Sequence, residues 1–169
     1  NIIKKLFLTF IGVSMHYSVI VIAPLILFSE LFKKRSLLLM ILVLVFPSII
    51  ILFSIDFILK FELLPLLPLY LQMTDSVNLF SSRMITLVTL ILIGFSCINY
   101  LPNNLLPWFY MSLLGIGLFY GLQFIPVFAQ RFLEITIFSY LVWITYLPKI
   151  PRIFSISLLF VFSIYFFYR

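Results

Sequence analysis

LLLMILVLVFPSIIILFSIDFI, Leu37 to Ile58, runs for 22 residues with one ionisable side chain, Asp56. At ~1.5 Å of rise per residue, a helix of this length covers about 33 Å, enough to cross ~30 Å of hydrocarbon. Backbone donors and acceptors in lipid must be satisfied within the segment, so a run of this kind reads as a helix. Pro47 stands in its middle and predicts a kink, because proline removes one helical hydrogen bond.

Similar runs recur from end to end. Of the 169 residues, 64% are hydrophobic and 9% are charged, and the mean hydropathy is +1.29. A soluble domain carries about 25% charged residues, so this chain has too few to solvate its outer surface. The residue alternation of an outer-membrane barrel is absent. The expected fold is an all-α polytopic integral membrane protein, a single transmembrane domain over residues 1–169 with about six transmembrane helices. The net charge of +6 lies in short clusters between apolar runs, where topology signals sit, and indicates no nucleic-acid partner. Cys97 is the single cysteine and falls inside an apolar run, so it reads as a small buried hydrophobe. The chain opens at Asn1 and enters an apolar run almost at once, with no signal-peptide pattern. It is therefore expected to be the C-terminal half of a longer membrane protein.

The first span is expected from Leu6 to Phe28, between Lys4-Lys5 and Lys33-Lys34-Arg35, and the second from Leu37 to Ile58. Leu59 to Met84 is the longest hydrophilic interval; Pro65, Pro68 and the polar patch Gln72 to Ser76 make it a Pro-broken amphipathic segment suited to the interface. Further spans are expected at Ile85 to Leu101, Phe109 to Phe128, Phe132 to Leu147 and Ile153 to Tyr168. Placing Lys33-Lys34-Arg35 in the cytoplasm leaves five Lys/Arg inside and six outside, so the charge rule alone does not orient the chain. The density of that cluster favours the cytoplasmic side.

Ionisable side chains within membrane segments are costly and are functional candidates. His16 lies about 10 residues, or ~15 Å, into the first span. Gly12, Ser14 and Ser18 give it a small, polar helix face. It reads either as a structural histidine bonded to a neighbour or as a group for substrate binding or proton transfer. Arg131 and Glu134 are three apart and are expected to pair on one helix face, with Gln123 and Gln130 extending the stripe. That pair reads as a membrane-boundary ion pair or as an arginine aimed at an anion, since a planar guanidinium bonds two phosphate oxygens at once. Asp75 and Arg83, in the interval facing outside, read as ordinary solvated loop residues or as contacts to a polar ligand. One histidine, one cysteine and no clustered carboxylates point to no metal and no cofactor, and there is no glycine-rich phosphate loop.

Two stretches, FLTFIGVSMHYSVIVIAPLILF (Phe7–Phe28) and AQRFLEITIFSYLVWITYLPKIPRIFSISLLFVFSIYFFYR (Ala129–Arg169), carry a resemblance. In the first, a lysine-led apolar helix reaches a histidine followed by small and aliphatic residues. In the second, an arginine opens an aromatic-rich helix, proline and basic residues follow, and a last apolar helix ends in aromatics. In this order they resemble the bacterial exopolysaccharide and O-antigen polymerases of the EpsG/Wzy type. The resemblance implies a bacterial inner-membrane glycosyltransferase that joins repeat units carried on undecaprenyl pyrophosphate, at the outer face of the membrane. It implies catalytic roles for His16 and Arg131, with Glu134 following from its pairing to Arg131; Asp75, Arg83 and Gln130, read from the residues themselves, are the candidates for substrate contact. The implied partners are a polyprenyl-pyrophosphate-linked oligosaccharide, membrane lipid and other polysaccharide-assembly proteins. Two other classes share the composition. One is a non-catalytic membrane subunit, such as an organelle-encoded respiratory-complex protein. The other is a piece of a lipid or polysaccharide transporter, which would be expected to show paired broken helices in two halves.

Overall fold

The structure, a computed structural model, describes residues 23, 27, 29–60 and 78–167. His16 and Asp75 fall outside the described residues, as do the span expected from residue 6 to 28, except Ala23 and Leu27, and most of the interval expected from 59 to 84. Among the described residues the fold is all helical: α1 (Leu37–Lys60), α2 (Ser82–Ser96), α3 (Leu106–Gly121), α4 (Pro126–Ile144) and α5 (Lys149–Phe167), with short 3-10 turns at Leu31–Lys33 and Ile98–Tyr100. One of these helices, Pro126–Ile144, is both long enough and apolar enough to cross a membrane. The Leu37–Ile51 part of α1, α2 and α3 are apolar but shorter.

The helix boundaries follow local chemistry. α1 keeps the expected start and carries Pro47 in its interior. α2 begins ahead of the expected Ile85 because Ser81 caps it: the Ser81 hydroxyl accepts from the Met84 amide at 3.3 Å. The run expected as one span from Phe109 to Phe128 is divided. Pro107 and Pro126 each stand in the first turn of a helix, where an amide donor is not needed. α3 therefore ends at Gly121 and α4 starts at Pro126. Arg131, expected at a break between two spans, lies inside the continuous helix α4. The last helix opens at Lys149 rather than Ile153.

α3 is the central helix. Twelve of its sixteen residues are buried, on every side of the cylinder, the pattern of a helix enclosed by neighbours. α1 packs along one side, α4 along another, and α2 and the Leu31–Lys33 turn complete the enclosure. α1 and α3 run parallel: Leu44 meets Gly117, and Ser48 meets Gly121 one turn further on. A Cβ on Gly117 would collide with the Leu44 carbonyl, and one on Gly121 would come within 2.7 Å of the Ser48 Cα. The Ser48 hydroxyl donates to the Gly117 carbonyl at 2.7 Å. Two glycines four apart thus let two helix backbones touch, the use that small-xxx-small spacing has between helices in lipid.

α4 returns antiparallel to α3 through the short connection 122–125, and the two share a buried polar seam. Ser112 and Ser139 bond hydroxyl to hydroxyl at 2.6 Å, and the Trp143 indole N–H donates to the Ser112 hydroxyl at 2.9 Å. Thr136 fills the space left by Gly115 and returns its own hydroxyl to the Leu133 carbonyl at 2.9 Å. The members of this seam satisfy each other, so burial leaves no loose donor to penalise it. Phe109 stands edge-on to Trp143, ring centres 5.2 Å apart. Gly94 of α2 lies against both rings, where a Cβ would come within 2.5 Å of Phe109.

The antiparallel order collects the basic residues at one end. There Arg35 donates to the Leu101 carbonyl at 2.7 Å and Tyr110 donates to the Lys34 carbonyl at 2.8 Å, tying the start of α1 to the loop before α3. Lys149 and Arg152, at the start of α5, lie toward the same end. The outer surface of the bundle is apolar: Phe53 is 83% exposed and Ile150 82%, with Leu38, Phe46, Phe138 and Phe160 exposed as well.

Replacing Gly117 by valine sets a branched side chain against the Leu44 carbonyl, a backbone atom that cannot swing away. The expected cost is about 3 kcal/mol, the upper end for overpacking. Denaturant titration followed by circular dichroism measures it, with Leu38→Val at an exposed position of α1 as the control expected to change stability little.

Candidate functional site

The sequence candidates that are described gather at the end opposite the basic cluster. α4 turns Ala129, Leu133, Thr136, Tyr140 and Trp143 into the bundle, a 4-3-4-3 spacing that marks one helix face. Gln130, Arg131 and Glu134 fall on the other face and are exposed. α2 and α4 approach each other where Gly94 meets Trp143. Toward the other end, Arg83, in the first turn of α2, reaches across to α4. Its Nη1 lies 3.9 Å from the Glu134 Oε1.

Glu134 was expected to pair with Arg131; the ion pair it makes among the described residues is with Arg83. Arg83 approaches Glu134 from a separate helix whose first turn is set by the Ser81 cap. The structure thus joins Arg83 and Glu134, two candidates taken from different parts of the sequence, and leaves Arg131 and Gln130 exposed beside them.

The two partners differ in burial. The Arg83 side chain is 19% exposed and that of Glu134 51%, so the carboxylate keeps contact with its surroundings while the guanidinium is largely enclosed. The Arg83 Nε–H is buried and has no acceptor among the described residues. A buried donor left without an acceptor costs free energy of roughly 1–3 kcal/mol. Arg131, one turn before Glu134 on α4, adds a second cation at the same end. The Arg83 guanidinium beside the Glu134 carboxylate, with Arg131 exposed nearby on α4, sets two cations and a potential base toward this end. Among the described residues, no group of three His, Cys, Asp or Glu is placed to hold a metal ion.

Two features were present in the sequence but unread. Ser81, two residues before Arg83, is a helix-capping signal that fixes where the guanidinium starts. The Gly117–Gly121 spacing in the apolar stretch of α3 is a small-residue packing motif.

Comparison with protein-family models, curated proteins and solved structures finds no match to this chain.

A double-mutant cycle separates the two possible partners of Glu134. Arg83→Met combined with Glu134→Gln is expected to show a coupling of about 0.5–1 kcal/mol, the range for a partly exposed pair. The same cycle with Arg131→Met is expected to show none. The unfolding free energy of the four proteins in each cycle measures both couplings.

Proposed function

We propose that the chain is part of a multi-pass membrane glycosyltransferase that polymerises undecaprenyl-pyrophosphate-linked repeat units into cell-envelope polysaccharide. The observation that carries this reading is the Arg83 guanidinium, its Nη1 3.9 Å from Glu134 and its buried Nε–H without an acceptor among the described residues. The sequence resemblance supplies the reaction class. The apolar exterior supports a lipid setting, since soluble monomers rarely expose contiguous apolar patches larger than a few hundred Å².

The basic end, with Lys33, Lys34, Arg35, Lys149 and Arg152, is assigned to the cytoplasm on the density of its Lys33-Lys34-Arg35 cluster. Arg83, Arg131 and Glu134 then lie toward the outer face, where lipid-linked repeat units are joined. In the reaction, the acceptor hydroxyl forms the new glycosidic bond to the anomeric carbon as the bond from that carbon to pyrophosphate breaks. The departing diphosphate gains negative charge, and Arg83 and Arg131 stabilise it. The hydroxyl proton passes to a base, for which Glu134 is placed at the described end of the site; His16 is the other base. Gln130 and Asp75 contact the sugars. The polyprenyl chain stays in lipid beside the bundle.

Lysine retains the charge of arginine but not its fork. Arg83→Lys and Arg131→Lys, made in the full-length protein in its own cells, are each expected to cut polymer formation by about a hundredfold, the scale for losing one preorganised donor to a departing oxyanion. Repeat-unit chain length on gels, read beside immunoblot levels in the membrane fraction, is the measurement. Chains of normal length in both lysine variants contradict the pyrophosphate role.

A further inference from the structure

An apolar groove of about 580 Å³ lies between α1 and α3. Phe32, Leu39, Phe46 and Ile50 form its sides, and Leu114 and Leu118 of α3 form its floor. All its lining residues are apolar. Its outer rim, Leu42, Phe46 and Ile50, is exposed, whereas Phe32 and the floor leucines are buried. Pro47 also lines it, at the position where α1 lacks an amide donor.

The groove has a direction. Phe32, at its basic end, directly precedes Lys33-Lys34-Arg35, and Leu39 is one turn beyond Arg35. From Leu39 to Ile50 the rise along α1 is about 16 Å, half of the ~30 Å hydrocarbon thickness. The groove is therefore one leaflet deep and begins at the cationic cluster. Within that cluster Lys33 is engaged by Glu30 at 2.7 Å, and Arg35 is turned to the Leu101 carbonyl. Lys34 is exposed, and among the described residues nothing pairs with its ammonium. Basic residues beside an inter-helix groove at the cytoplasmic surface bind anionic lipid head groups.

We propose that this groove holds one acyl chain of an anionic phospholipid of the leaflet at the basic end, with the lipid phosphate on Lys34. The occupant is a phospholipid rather than the polyprenyl carrier, because the groove stops at mid-bilayer depth and opens at the end opposite Arg83 and Glu134. The site rests on the membrane reading given above, but not on the polymerase chemistry.

The test uses the full chain in vesicles of equal phosphatidylglycerol and phosphatidylcholine. A carbonate wash comes first, followed by mild-detergent extraction and a count of retained lipid by native mass spectrometry. The wild type is expected to resist the wash and to retain phosphatidylglycerol in preference to phosphatidylcholine. Lys34→Gln is expected to lower that preference about fivefold, the equivalent of ~1 kcal/mol for one interfacial cation. Leu42→Trp fills the groove from its exposed rim and is expected to release lipid of either head group. Equal retention of the two lipids by the wild type overturns the proposal, as does full retention by Leu42→Trp. In that second case residues 1–28 or a second copy of the chain fill the groove. Release into the carbonate supernatant overturns the membrane reading and this site together; a chain that stays in the membrane without lipid preference overturns this site alone.

Discussion

Two helix backbones touch where α1 meets α3, and the bundle depends on the absence of side chains there. Gly117 faces the Leu44 carbonyl and Gly121 faces Ser48, one turn apart in parallel register. On the membrane reading proposed above, the hydrophobic effect offers little between such helices, because lipid tails are as apolar as leucine. What holds such helices together is close van der Waals contact and interhelical hydrogen bonding. Here both occur at one place: the Ser48 hydroxyl donates to the carbonyl of the glycine that permits the approach. Once α1 is seated, the turn before it brings Phe32 against the Tyr110 ring, at 5.2 Å between centres. The same seating fixes one wall of the groove.

α3 then serves as the reference for the rest. Its second side carries the Ser112–Ser139–Trp143 seam that orients α4. That orientation decides which α4 residues point inward. Because Ala129, Leu133 and Thr136 are committed to α3, Gln130, Arg131 and Glu134 are left on the open face. The candidate site is thus a consequence of packing at the other side of the same helix. Charge is divided in the same way. The antiparallel order puts the basic starts of α1 and α5 at one end, and the mixed Arg83, Arg131 and Glu134 set at the other.

The helical character of the chain was legible in its apolar runs, and so was the position of α1, whose start was read correctly from Leu37. The boundaries of α2, α3 and α4 were not, because the Ser81 cap that starts α2 was unread and one span was expected through Pro126, which opens a new helix. That misreading placed Arg131 at a break instead of in a continuous helix. Residues three apart on one helix looked like natural partners, so Arg131 was matched with Glu134. The partner that the structure gives, Arg83, is 51 positions earlier, and no local spacing reveals a contact of that range. The small-residue signal in GIGLFYG was readable in principle: glycine is costly in a helix interior, and four-residue spacing gives that cost a packing purpose. Length was the other difficulty, since several apolar runs became helices too short for one full crossing by themselves.

The parallel seating of α1 on α3 is tested most directly by disulfide trapping in a Cys97→Ser background. A cysteine pair at Ser48 and Gly121 places the two Cβ atoms 3.1 Å apart, just inside the ~3.5–4.5 Å of a disulfide, so the bond forms once the helices part by a few tenths of an ångström. A second pair, Lys34 with Gly121, joins opposite ends of the two helices. The expected result, with the chain in membranes and a mild oxidant, is rapid cross-linking of the first pair and none of the second. Cross-linking of Lys34→Cys to Gly121→Cys, with Ser48→Cys unreactive toward it, contradicts the parallel arrangement, and with it the groove and the placement of the two ends.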